Sequence, residues 1–134
     1  MPQYDGQCSC GRVQFRVSAE RVHLVNCHCT LCRRLNGGAF SSYVTVPSVA
    51  LAITAGSDNI GVYSATENAD KRFCRTCGSP LYNTNKKFPG RSMIYLGSLH
   101  EHAKIDPRIN VFCASKLGWV DSVASIESLD NGGK

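Results

Sequence analysis

Residues 8–18 read CSCGRVQFRVS, and this stretch decides the fold. Apolar and polar residues alternate in it: Val13, Phe15 and Val17 against Arg12, Gln14 and Arg16. A period of two puts the two sets on opposite faces, so residues 11–18 read as a half-buried β-strand. Ahead of the strand stand Cys8 and Cys10, closed by Gly11. A tight turn that wraps backbone amides around a metal-bound sulfur needs a positive φ just past its second cysteine, which glycine supplies without a Cβ clash. The same ending recurs in CRTCG, residues 74–78. Cys8, Cys10, Cys74 and Cys77 therefore read as two matching turns that together make a closed tetrahedral site, the arrangement of structural zinc. A metal there ties the two halves of the chain together, and its binding energy becomes folding energy.

The style of the first strand repeats outward. RVHLVN (21–26) and AFSSYVTV (39–46) read as strands, the second stopped by Pro47. Between them TLCRRLNGG reads as a short helix, with Thr30 as N-cap and Gly37 or Gly38 at its end. LAIT, IGVYSA, KRFC, PLYNTN, SMIYLGSL and INVFCA are further short strands set apart by Gly, Pro, Asn or Asp. The pattern predicts a mainly β fold of eight or so strands. Its antiparallel sheets form two packed layers with one or two very short helices. The 134 residues suit one domain, with a core over about 4–120 and a fraying polar tail over 121–134.

Composition narrows the class. Hydrophobic residues make up 43% of the chain, enough for a buried core. The apolar runs are too short to span a membrane. The start, MPQYDGQCSC, has no apolar signal-like stretch, so the cytoplasm is the expected compartment. Thiols stay reduced there, and clustered cysteines then point to metal before disulfides. The net charge is +5, but its basic residues are scattered. No contiguous basic run or interleaved aromatic stripe marks a nucleic-acid face. The sequence sets no oligomeric state.

A second cluster, NCHCTLCRR (26–34), differs from the glycine-closed turns. Cys29 and Cys32 lie three apart at the start of the helix and share a face. Cys27 reaches the same point from the end of a strand, so three sulfurs can converge on one ion. His28, between two ligands in an extended stretch, should point away from them. The fourth position is expected to be open, as in catalytic zinc sites. His100, His102 and Cys113 are the side chains that can otherwise fill it, although Cys113 reads as a buried apolar thiol on a strand. A divalent ion under three thiolates keeps a net negative charge and suits an incoming thiol better than water activation. Arg33 and Arg34 either offset that charge and bind a carboxylate of the thiol's carrier, or form a solvated helix surface. Trp119 reads as a core or rim aromatic, with a wall of the substrate pocket as the alternative. Lys116 reads as a surface residue or an anion contact.

Four segments, GQCSCGRVQFRV, NCHCTLCRRLNGGAF, KRFCRTCGSPLY and GSLHEH…P…NVFCASKLGWV, stand in the order seen in glutathione-dependent formaldehyde-activating enzymes. Centromere protein V belongs to the same superfamily. The resemblance runs from about Gly6 to Trp119. It implies a zinc-bound β fold with two zinc ions. The structural one would lie on Cys8, Cys10, Cys74 and Cys77, and the catalytic one on Cys27, Cys29 and Cys32. It also implies a carbon–sulfur lyase in which the thiol of glutathione adds to formaldehyde, giving S-hydroxymethylglutathione. Two rival readings remain. One is a non-catalytic, zinc-stabilised β module for a protein or nucleic-acid partner; the other is a thiol-redox protein using Cys29 and Cys32, which lack thioredoxin-like surroundings.

Overall fold

The computed structural model describes residues 1–20, 22–100 and 105–133. Ten strands run β1 (Gln3–Gln7), β2 (Gln14–Ser18), β3 (His23–Cys27), β4 (Ser41–Pro47), β5 (Leu51–Ala55), β6 (Ile60–Ser64), β7 (Ala69–Cys74), β8 (Pro80–Asn85), β9 (Arg91–Tyr95) and β10 (Ile109–Val111). Among the described residues one α-helix, α1 (Thr30–Asn36), follows β3. Short 3₁₀ turns fill several connections, including Cys113–Ser115 and Gly118–Ser125. The fold is mainly β, as the alternation predicts, and no described helix is long and apolar enough to cross a membrane.

The strands form two sheets. A three-stranded sheet has the order β1-β2-β5, and a seven-stranded sheet has the order β10-β3-β4-β9-β8-β7-β6. In β2 the alternation works as read: Phe15 and Val17 are buried while Gln14 and Arg16 are exposed. Their apolar face joins Val13, Leu24, Val44, Val46, Leu81, Ile94 and Leu99 in one core shared by both sheets. Burial of such side chains contributes roughly 1.5–3 kcal/mol each.

Two readings are corrected here, and one strand is added to them. The sheets are not wholly antiparallel: β10 pairs parallel with β3, with Val111 opposite Cys27. β1, whose sequence QYDGQ has no alternation, is a strand because β2 supplies its hydrogen-bond partner from Gln3–Ser18 to Gln7–Gln14. The N-cap of α1 is Cys29, not Thr30; its sulfur accepts from the Cys32 backbone N–H. At the other end, Gly37 takes the left-handed conformation at φ 75° and its N–H returns to Arg33 O.

Candidate metal centres

Cys8 follows β1 in the small sheet, and Cys74 ends β7 in the large one. The two turns that carry them have the predicted form. Gly11 has φ +77° and Gly78 φ +76°, and their N–H groups bond back to Cys8 O at 3.1 Å and Cys74 O at 2.9 Å. The turns meet directly as well, since Ser9 N–H donates to Ser79 Oγ at 2.9 Å. All four sulfurs of Cys8, Cys10, Cys74 and Cys77 lie within 4.8 Å of one another. Cys8 Sγ is 3.6 Å from Cys10 Sγ, which is 3.8 Å from Cys74 Sγ. A tetrahedron with metal–sulfur bonds of about 2.3 Å has sulfur–sulfur edges of about 3.8 Å, so the donor set fits a divalent ion. Donors already point at the sulfurs: Val13 N–H and Asn59 Nδ2 each lie 3.3 Å from Cys8 Sγ and Cys74 Sγ respectively. Hydrogen bonds from Ser79 pull the Cys77 thiol down to about 5, which favours the thiolate a metal needs. Cys8 and Cys74 are buried, and Cys10 and Cys77 face outward.

The second group is built on the β3–α1 junction. Cys27 closes β3, Cys29 caps α1 and Cys32 sits in its first turn. Their sulfurs also lie within 4.8 Å of one another. Cys27 and Cys32 Sγ are 3.2 Å apart, shorter than the tetrahedral edge. The contact shifts the two thiols in opposite directions. Hydrogen bonding from Cys32 lowers Cys27 to about 6, and the same bond raises Cys32. Tyr43 Oη–H donates to Cys32 Sγ at 3.3 Å. Asn83 Nδ2 donates in turn to Tyr43 Oη at 3.2 Å and to Tyr95 Oη at 3.1 Å. Sequence reasoning missed these three residues. A polar residue on a strand, such as Asn83 in PLYNTN, reads as an outward position, yet here it is buried.

The remaining predicted side chains divide. His28 does not join the sulfurs; its buried ring lies against Phe40, with centroids 4.8 Å apart, and its backbone N–H bonds to Val111 O at 3.0 Å. Arg33 is not a solvated helix residue. Its Nη1 donates to His28 O at 2.9 Å and to Ser115 O at 2.5 Å, clasping the cysteine loop to the C-terminal segment. Arg34 is exposed. Cys113 is corrected: it is an exposed residue of a 3₁₀ turn, because Phe112 takes φ +56° and swings the chain off β10. Trp119 is half exposed on the Gly118–Ser125 turns, and Lys116 pairs with Asp121 at 2.9 Å. His100 N–H bonds to Asp5 O, and His102 lies outside the described residues. Among the described residues, the group formed by Cys27, Cys29 and Cys32 has three members where the other has four.

A cleft of about 1030 Å³ opens beside the four-sulfur centre. Cys8, Ser9 and Ser79 line it, as do Asn36, Ser42 and Tyr95, the last of which packs in the same buried cluster as Cys27 and Cys32.

The sequence profile of the family described as glutathione-dependent formaldehyde-activating enzyme matches residues 3–115. The chain belongs to this family. An uncharacterized lyase of Schizosaccharomyces pombe is 33% identical over 93 residues, which cover 66% of this chain and 64% of that protein, slightly under two thirds of its length. A Halomonas elongata protein that carries the family's name is 24% identical over 124 residues, covering 87% of this chain and 79% of the relative. A Rhodobacter sphaeroides protein of known crystal structure superposes with a TM-score of 0.62 at 23% identity, over 79% of this chain and 97% of that one. At that identity the likeness speaks to the fold alone.

Proposed function

We propose that this protein holds a thiol at the Cys27, Cys29 and Cys32 centre and adds it to a small aldehyde, a carbon–sulfur lyase-type reaction, with zinc in both cysteine clusters. The observation that carries the reading is the asymmetry between them. Four sulfurs surround one position and exhaust a tetrahedral shell, whereas three described sulfurs leave room for an incoming one. When bound, zinc supplies a soft site at which an added thiol is held as its thiolate. Everything else falls to the protein. Cys8, Cys10, Cys74 and Cys77 brace the two sheets. Cys29 fixes the start of α1, and Tyr43 holds Cys32 by its sulfur. The cleft admits the carrier of the thiol, for which glutathione is the candidate the family suggests. Arg33 is engaged with backbone carbonyls, which leaves Arg34 as the exposed cation for a carboxylate of that carrier. Trp119, half exposed, is assigned to the carrier only as a rim contact. The thiolate attacks the carbonyl carbon of a formaldehyde-like aldehyde, a C–S bond forms, and the product is a hydroxymethyl thiol adduct. The reverse step breaks that bond. Unpaired thiols in both clusters fit a reducing compartment such as the cytoplasm.

The test is exchange between free ¹³C-formaldehyde and its glutathione adduct, followed by NMR with zinc-loaded protein. Acceleration over the uncatalysed exchange is expected. A rate equal to buffer alone, with glutathione shown to bind, would overturn the reading and favour a binding module.

A further inference from the structure

One buried carboxamide holds two tyrosine hydroxyls beside the three-sulfur centre. Asn83 Nδ2 donates to Tyr43 Oη at 3.2 Å and to Tyr95 Oη at 3.1 Å. Because both hydroxyl oxygens accept from Asn83, both hydroxyl protons must point elsewhere. The proton of Tyr43 goes to Cys32 Sγ at 3.3 Å. Tyr95 lies in the same buried cluster as Cys27, Cys32 and Tyr43, with its ring edge-on to Tyr43 at 4.9 Å. Unlike Tyr43, it also lines the cleft. The arrangement has a cost: Asn83 Oδ1 is buried with no hydrogen-bond partner. An unpaired buried carbonyl oxygen is unfavourable for stability alone. It accompanies the use of the amide's donor side on two hydroxyls, which leaves both hydroxyl protons for acceptors other than Asn83.

We propose that Tyr95 is a catalytic residue of the thiol–aldehyde addition, its hydroxyl donating a hydrogen bond to the aldehyde oxygen, while Asn83 and Tyr43 position the donor and the sulfur ligand. The inference rests on the proposed function and names the group that stabilises its transition state. As the thiolate sulfur forms its bond to the carbonyl carbon, the π pair of the C=O bond moves onto oxygen. Negative charge develops there, and a donor held ready in a buried site costs no reorganisation when it does. The proton that the thiol lost on ionising returns to that oxygen from solvent, so the adduct is neutral and the balance closes. The same geometry gives the two tyrosines separate duties. Tyr43 bonds to a sulfur of the centre, and Tyr95 is the one of the two that lines the cleft.

The experiment compares wild type, Tyr95→Phe and Tyr43→Phe. Each is loaded with Co²⁺ to read the sulfur-to-metal absorption band, and with Zn²⁺ to read ¹³C-formaldehyde–glutathione exchange. Each substitution keeps the ring and removes one hydroxyl. Tyr95→Phe is expected to lower the catalysed exchange roughly 10²–10³-fold, the usual effect of losing one such donor. Its Co²⁺ band, and the shift of that band on adding glutathione, should keep the wild-type position and midpoint. Tyr43→Phe is expected to move the band itself, because the partner of Cys32 is gone, and to weaken metal retention about 10–100-fold. Exchange by Tyr95→Phe at the wild-type rate would overturn the inference and leave the proposed function standing. Loss of the glutathione-induced shift in Tyr95→Phe would also overturn it, since the residue would then be acting on the metal centre. If the wild-type protein shifts its band with glutathione but catalyses no exchange, the proposed function and this inference fall together.

Discussion

Cys10 and Cys74 stand sixty-four positions apart in sequence, yet their sulfurs are 3.8 Å apart. One belongs to a turn after a strand of the three-stranded sheet, and the other ends a strand of the seven-stranded sheet. Whatever holds these sulfurs in register also holds the two sheets over their common core. Ser9 N–H to Ser79 Oγ reinforces that junction beside the shared core, and a metal held by the four sulfurs would close it further.

Cys74→Ser removes a buried ligand from that closure. Structural zinc is worth about 10–16 kcal/mol in zinc-finger peptides, comparable to or larger than the 5–15 kcal/mol net stability of a domain. The variant is expected to be insoluble or unfolded by circular dichroism. A thermal transition equal to that of the parent would show that the sheets do not depend on the cluster.

Cys29→Ser separates two duties of one side chain. Its sulfur caps α1 by accepting from Cys32 N–H at 3.1 Å, and serine is itself a good N-cap. The fold should survive with its melting temperature little changed, while the second metal and thiol-dependent activity are lost. Cys29→Ala loses the cap as well and should be about 1 kcal/mol less stable than Cys29→Ser. Global unfolding of Cys29→Ser would mean that the structural and reactive clusters had been exchanged.

Arg33→Ala cuts the clasp between His28 O and Ser115 O. Loss of these partly exposed, charge-assisted bonds is expected to cost about 1–2 kcal/mol. Metal should also leave the three-sulfur centre faster in chelator competition. Arg33→Lys should not rescue, because an ammonium lacks the planar fork that reaches two carbonyls. Full rescue by lysine would reduce the role of Arg33 to its charge.

Acid should weaken the protein. Ser79 brings Cys77 to about 5 and Cys32 brings Cys27 to about 6, against an ordinary thiol value of 9.0. Both folded values lie below the unfolded one. Their contribution is therefore complete above pH 9 and is lost as pH falls through 6 and then 5. Protonation also releases metal, with the same sign. Melting temperatures should fall steadily from pH 8 to pH 5. A rise over that interval would contradict the assignment of thiolates at these positions.

Much of this was legible in the sequence because its causes are local. Gly11 and Gly78 follow their cysteines because the turns need positive φ. Val13, Phe15 and Val17 alternate because one face of β2 is buried. What stayed hidden depends on distant partners. The parallel pairing of β10 with β3 joins Val111 to Cys27 across most of the chain and leaves no local pattern. Cys113 read as a strand thiol because nothing in NVFCAS announces the left-handed Phe112. Asn83 and Tyr95 became visible only when the sheet brought β8 and β9 beside β4 and the sulfurs of the β3–α1 junction.

The central claim is that one cluster locks its metal in and the other keeps its metal reachable. The most direct test is zinc stoichiometry of the intact protein during stepwise chelation, with circular dichroism recorded at each step. Two zinc ions per chain are expected, the first leaving with the β spectrum unchanged and the second leaving only as the protein unfolds. A single zinc, or two that depart together with the fold, would contradict the account.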